Sequence, residues 1–487
     1  KNNLAHIYAT NYTLAVSGDT LDELITSDES GPLEHSTSSQ NGVTSIHLKI
    51  NHPAIGKDQE KKLVVTYAAH DVVETIASTM TINIPRLAKA NEAESYTRTV
   101  KIEGIEDTHQ LISPPASLVE PDGDSVIYTW KGYQNDSLTL LFGESVTYKL
   151  NLIYELKNKE LGQVDSELAL PPDTGYQRIT LGTLNPEPST IRVDSSGNWL
   201  ALYTLKPQEK LQVSAEVYAT VYPVPTVYDP SVKSLQKTPH SMYWDVSSSS
   251  VQSLGERLKT PQNIYKYLTD NFIYNYAGVT SQSARQGATT ALTLSGGVLC
   301  TEFTDTFVAL ARVNNIPSRE INGYGFTKNT SLQPSSSEND ILHAWPEYYD
   351  AQSKHWISVD PTWGNTTGGV DYFSKLDFSH ITFVRHGEED SYPLPAGAYK
   401  SSPNQKHVSV EIADTVPERK EDTEQIDNTI YNRGNVAVVN DTVGYLPPFG
   451  RYEVQKAISL RSSLYDKIKA LCASLLSKFW PRPPASI

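Results

Sequence analysis

The chain has 487 residues, 38% of them apolar and 20% charged, with a formal net charge of −15. Its length predicts about three domains with sizeable cores, and its acidity argues against a nucleic-acid partner, since phosphate binding needs a basic surface. Its two cysteines, Cys300 and Cys472, exclude a disulfide scaffold, and no apolar run is long enough to span a membrane.

Residues 1–95 read as a small β-domain. Ile46, Leu48 and Ile50 alternate with polar neighbours, Leu63 to Tyr67 is a second apolar run, and Met80, Ile82 and Ile84 a third. Residues 96–225 are more strongly β. Val146, Tyr148, Leu150, Leu152, Tyr154 and Leu156 alternate strictly, as do Leu211, Val213, Ala215, Val217, Ala219 and Val221. A period of two puts one face on a core and one in water, so a β-sandwich is predicted. His6, His47, His70 and His109 are scattered through this half and form no metal-ligand pattern.

Prolines 223, 225 and 230 and the Ser247–Ser250 run mark a linker over 226–253. Leu254 to Phe272 then reads as helical, with Leu254, Leu258, Ile264, Tyr267 and Leu268 on the buried side and Pro261 placed to split it.

The next helix carries the chemistry. Phe303, Phe307, Leu310 and Ala311 recur at three- and four-residue spacing, and Asn314-Asn315 before Pro317 reads as a stop. Cys300 therefore falls in the first turn, where unpaired N–H groups and the helix dipole favour a thiolate. Its N–H is one expected oxyanion donor. A second should come from upstream, where Tyr274, Asn275, Gln282 and Gln286 all remain open.

A base follows. Ile341 to Gly364 reads as two strands around a polar turn, and a turn centred between Ala351 and Gln352 places His343 opposite Asp360 on one face. An imidazole beside a carboxylate is the orienting pair that nucleophile–base catalysis uses.

Cys300, His343-Ala344-Trp345 and Asp360-Pro361-Thr362 together resemble the three motif blocks of the transglutaminase-like fold, a branch of the papain-like thiol enzymes. Ile316-Pro317-Ser318-Arg319 and Gly323-Tyr324 also match what that family places between the Cys and His blocks, and longer runs such as ARQGATTAL resemble an uncharacterised microbial branch. One departure is that Val298 stands two residues before the cysteine, where the family carries glycine; Gly296-Gly297 come earlier. The resemblance implies a multidomain α+β protein with a transglutaminase-like catalytic domain over residues 254–400 and a Cys300–His343–Asp360 triad. It also implies thiol acyl transfer on a protein or peptide substrate, with a glutamine or an aromatic N–H as the second oxyanion donor. Trp345 and Trp363 then either pack in the core or line a substrate groove.

No cofactor and no metal is expected. His380 and His386, with Asp371, Asp377 and Glu388-Glu389-Asp390, match no zinc spacing and no calcium loop, so they read as a solvated acidic face. Residues 386–450 are polar, Pro-rich and low in periodicity and read as an extended tail or β-ribbon, with 401–450 as an extended polar segment. From Arg451 to Trp480 there are six Lys or Arg against two Asp or Glu, and Leu460, Leu464, Ile468, Leu471, Leu475 and Phe479 form a stripe. Residues 451–487 thus read as an amphipathic basic helix and tail that lies on a membrane surface, meets a partner protein or docks on its own chain. Sparse Cys and Met and a start at Lys1 without Met fit an extracellular or cell-surface setting with a signal peptide removed.

Two function classes follow: a thiol enzyme, leaning to peptide or amide hydrolysis over glutamine–amine cross-linking, and a non-catalytic surface protein on the same scaffold. The intact Cys, His and Asp favour the enzyme.

Overall fold

The computed structural model describes residues 2–454 except 18–20, 41–42, 71, 85–92, 105–109, 133–136, 232–240, 280–283, 295, 331, 335–339, 341 and 403–404. Gln282, Cys472 and the expected basic helix, whose residues from 455 on are not covered, lie outside the described residues.

Strands dominate the first half. Asn11–Ser17, Val43–Lys49 and His35–Gln40 form one antiparallel sheet; Gly31–Pro32, Asp22–Asp28 and Leu63–Ala68 form another. Beyond them, Thr79–Ile84 pairs with Leu138–Phe142, and Thr97–Glu103 with Ser125–Lys131. One core holds Ile82 with Ile102, Tyr128, Trp130, Leu138 and Leu140, so strand pairing and packing both cross the boundary expected at residues 95 and 96. Alternation locates a strand without naming its partner, and here the partner lies more than fifty residues on.

The sandwich is built on the two long alternating strands. We label its strands β1 (Val146–Lys157), β2 (Val164–Leu170), β3 (Gln177–Asn185), β4 (Thr190–Val193), β5 (Trp199–Leu205) and β6 (Lys210–Val221). β1 buries every second residue and pairs with β6 from Val146↔Val221 to Lys157↔Lys210. Three of these strands form one sheet, in the order β3–β6–β1, and β2–β5–β4 form the other.

The second half opens with helices α1 (Ser249–Leu258) and α2 (Pro261–Asn271), separated at Pro261, which occupies the first turn of α2. Short α3 (Gly287–Ala291) leads to α4 (Cys300–Val313). Then come β7 (Ser318–Gly325), β8 (His343–Asp350), β9 (His355–Ser358), α5 (Pro361–Thr366) and β10 (His380–His386). The sheet order is β9–β8–β7–β10, with α4 against β8 and β7. Every residue from Glu302 to Arg312 is buried, so α4 is a central helix rather than a one-sided one.

β10 joins the two halves. One edge pairs with β7. On the other, Gln177 gives its amide N–H to the carbonyl of Thr382 (2.9 Å) and accepts the N–H of Thr382 (2.9 Å). Asn198 does the same at Arg385, at 2.8 Å in each direction. Two side-chain amides from the sandwich thus stand in for a neighbouring strand. Phe378, Ile381 and Phe383 extend the sandwich core beneath them. A buried ion cluster reinforces the seam: Arg319 meets Glu347 (2.7 Å) and Asp229 (3.4 Å), and Arg385 meets Asp229 (2.9 Å).

Within residues 401–450 the chain forms short antiparallel strands. β11 (Val408–Ile412) pairs along β1 and completes that sheet in the order β3–β6–β1–β11. Thr423–Ile426, Thr429–Asn432 and Arg451–Glu453 form a small sheet pinned by buried Asn432, which donates to the carbonyls of Val436 (2.8 Å) and Leu446 (3.0 Å). Backbone pairing and an asparagine anchor, rather than apolar periodicity, hold this segment, so its polar composition concealed it.

Candidate active site

Cys300 is the first residue of α4, where helical geometry leaves its N–H without an intrahelical acceptor. The loop before it is pinned from two directions. Val298 bonds on both sides of Tyr274: its N–H donates to the carbonyl of Ile273 (2.9 Å), and its own carbonyl accepts the N–H of Asn275 (2.9 Å). Gly297 lies at φ +83°, and a Cβ there would come within 2.9 Å of the Ile273 carbonyl oxygen, so this close approach needs glycine. The glycine requirement thus falls three residues before the cysteine rather than two.

Glu302 is a residue that the sequence reading missed. Its buried carboxylate accepts the N–H of Leu299 (3.0 Å) and that of Gln286 (2.9 Å), tying the α4 start to the upstream loop. The signal was present: a Glu three residues into a helix is where a side chain reaches back to the cap. Farther along α4, Asp305 accepts from Trp244 (2.8 Å) and Arg285, and Arg285 continues to Glu320 of β7 (2.7 Å). Burial pushes Asp305 up to about 7, against the pull of Arg285.

His343 begins β8, and its Nε2 lies 2.8 Å from Asp360 Oδ2, with both groups buried. The partnership expected from the sequence forms, by a different route. β8 and β9 pair as Glu347↔Ser358 and Asp350↔His355, two residues from the expected register, because the turn is centred between Gln352 and Ser353. A two-residue slip preserves the faces. The ladder ends at Ser358, and Asp360 caps α5 instead, its Oδ1 accepting the N–H groups of Thr362 (2.8 Å) and Trp363 (3.1 Å). One carboxylate therefore starts a helix and orients an imidazole.

Burial alone would lower the pKa of His343. Asp360 and then Cys300 more than offset it, raising the group to about 9. Asp360 is held well below the usual carboxylate range, its burial outweighed first by His343 and then by His380. Among the described residues Nδ1 of His343 is buried and meets no oxygen or nitrogen partner, its acting neighbour being the Cys300 side chain.

His380 overturns the expectation of a solvated acidic face. It is 2% exposed on fully buried β10, with Nε2 3.2 Å from Asp360 Oδ2 and Nδ1 2.7 Å from Asp377 Oδ1. His386 and Asp377 are buried too; Glu388 and Glu389 stay exposed. The faces of β10 are covered by the sandwich core and by Trp345 and Trp363, so its polar side chains are buried with the rest. His343, Asp360 and His380 bring three ligand-type atoms within 4.8 Å of one another. Hydrogen bonding already accounts for the arrangement, as both imidazoles converge on one carboxylate oxygen.

Trp345 and Trp363 do not line an open groove, being 1% and 0% exposed. Trp363 stacks on His343 with centroids 5.0 Å apart, and Trp345 stands 5.7 Å from the same ring, so they wall the imidazoles. Of the oxyanion residues, Tyr274 is buried beside Cys300; burial first, and the thiol next, raise its phenol. Gln286 is exposed, its side-chain amide donating to the Ala284 carbonyl (2.8 Å) while its backbone N–H is taken by Glu302.

Residues 246–361 match the model of a family described as the Transglutaminase-like superfamily. Among solved structures, the chain is similar to a putative cysteine protease from Cytophaga hutchinsonii, at 16% identity over 56% of this chain and 87% of that one, with a TM-score of 0.33. It is also similar to the periplasmic domain of TgpA from Pseudomonas aeruginosa, at 15% identity over 47% of this chain and 92% of that one, with a TM-score of 0.24. No curated protein matches it.

Proposed function

In a chain that carries a transglutaminase-like superfamily domain, we propose that Cys300, His343 and Asp360 perform thiol-dependent acyl transfer at peptide or amide bonds, with water as the preferred acceptor. The observation that carries this reading is the buried 2.8 Å contact between His343 and Asp360, with the side chain of Cys300, the first residue of α4, acting on the same imidazole. Asp360 holds Nε2 and leaves Nδ1 to the thiol; because His343 stays charged through neutral pH, Nδ1 already holds the thiol's proton when substrate arrives. The sulfur attacks the carbonyl carbon, and the oxyanion that forms meets the N–H of Cys300. As the tetrahedral adduct collapses, His343 returns the proton to the departing amine, leaving a thioester on Cys300. A water then loses its proton to His343 and attacks the thioester, and the restored thiol takes that proton back.

The preference for water rests on the tryptophans. Trp345 and Trp363 are buried against imidazoles, and Trp244 is fixed to Asp305 in the helical core. None of the three is free to shield a thioester so that an amine outcompetes water. The test incubates the protein with a glutamine-containing protein and a labelled primary amine, and follows ammonia release, peptide cleavage and label together. We expect cleavage or deamidation to exceed labelling and to disappear in Cys300→Ala. Labelling that outpaces hydrolysis would make cross-linking the function, and no Cys300-dependent chemistry would leave the domain a scaffold.

A further inference from the structure

We propose that His380 is a positioning residue of this site: with Asp377 it forms a second buried imidazole–carboxylate pair that holds the Asp360 carboxylate, and through it the orientation of His343. The inference rests on the acyl-transfer reading above and adds a layer beneath its triad.

The geometry carries the argument. Asp360 Oδ2 lies 2.8 Å from His343 Nε2 and 3.2 Å from His380 Nε2, so one oxygen serves two imidazoles. The other oxygen is committed to the N–H groups of Thr362 and Trp363. The carboxylate is thus fixed at both ends, by a helix start and by His380. His380 is fixed in turn, because its Nδ1 meets Asp377 Oδ1 at 2.7 Å, and that oxygen also accepts the N–H of Ser379 at 2.8 Å. Trp363 and Trp345 pack on the His380 ring with centroids at 4.5 and 4.9 Å, leaving it no room to turn.

The charge follows from the donors. A neutral imidazole donates from one nitrogen only, and His380 has a carboxylate oxygen at each. It therefore sits as an imidazolium, in line with its rise to about 9, where the two aspartates overcome the effect of burial. The groups that face it are Asp360 at the start of α5, His343 on β8, Tyr372 from the loop after α5 and Asp377 on its own segment; Lys375 and Glu74 act on Asp377 from behind. Burying such a pair carries a desolvation cost that a packing residue would not, and a leucine would fill the volume. What the pair adds is a carboxylate that keeps its charge and its direction.

The test uses the full chain and iodoacetamide as the probe, with the alkylation rate of Cys300 followed by peptide mapping across acid to neutral pH. His380→Ala should move the acid limb of that profile upward by about one pH unit, a tenfold loss of reactive thiolate on its acid side. His380→Gln, which restores a donor to Asp360, should recover most of the parent profile. Asp377→Asn, which preserves volume, should move the limb in the same direction as His380→Ala and serves alone if the alanine variant fails to fold. A parent-like profile in folded His380→Ala or in Asp377→Asn would overturn the proposal. His343→Gln separates the two levels: if it too leaves the parent profile unchanged, the acyl-transfer reading itself has failed.

Discussion

The chemistry turns on how much one residue is asked to hold. Asp360 caps α5 through one oxygen and receives two imidazoles on the other, all away from water. The signs of the resulting shifts give a pH window. His343 is raised to about 9, so the stabilisation from its charged form is complete below the ordinary histidine pKa and is lost as pH rises through about 9. Asp360 is depressed, so its contribution is present above the ordinary carboxylate pKa and fails only in strong acid. We expect turnover to hold through neutral pH and fall, with a single basic limb, near pH 9. A rate still level well beyond that limb would mean that the acting imidazole is not held by Asp360.

At the scale of elements, the site depends on how a loop is stapled to a helix. Glu302 accepts both the Leu299 and Gln286 N–H groups, so Glu302→Ala leaves two donors unpaired in a part-buried place. That should cost about 2–4 kcal/mol at about 1–2 kcal/mol per donor, and should slow Cys300 alkylation through misplacement of the α4 start. Thermal unfolding and alkylation together check it; an unchanged melting temperature would show that water replaces the carboxylate at no cost. The cap is legible in sequence because it acts over three residues, and so were Cys300 at a helix start, His343 and Asp360. What spans a longer stretch was not. The β8–β9 register was missed by two because the turn holds four residues, Ala351 to Lys354. His380 reads as solvated because what covers it is set by the fold: Trp345 and Trp363 pack on its ring, and β10 is seated on the sandwich by Gln177 at Thr382 and Asn198 at Arg385, 205 and 187 residues apart along the chain. Charge and spacing around position 380 carry no record of those partners.

Across the whole molecule, the two halves share a seam rather than a linker. Because the Gln177 and Asn198 amides each bond a backbone N–H and a backbone carbonyl, Asn198→Leu should orphan both backbone groups of Arg385, while Asp194 keeps the Asn198 backbone N–H at 2.8 Å. We expect a loss of about 2–6 kcal/mol and a concerted fall in the melting of both halves, since each unpaired buried backbone group costs about 1–3 kcal/mol. Two separate transitions, with the sandwich unaffected, would show that the seam does not couple them. β11 has a further consequence, for the order of synthesis. The sheet that contains β1 and β6 is completed by residues 408–412, which follow the whole catalytic segment in the chain. A ribosome that has released residues up to β10 has therefore delivered every group of the active site, while β1 still has a bare edge. Domains tend to fold as units while they emerge, and a bare edge is a template for wrong pairing. The sandwich thus starts to emerge before the catalytic segment and is completed only after it. A chain arrested before residue 408 would hold all its catalytic side chains on a scaffold still open to aggregation.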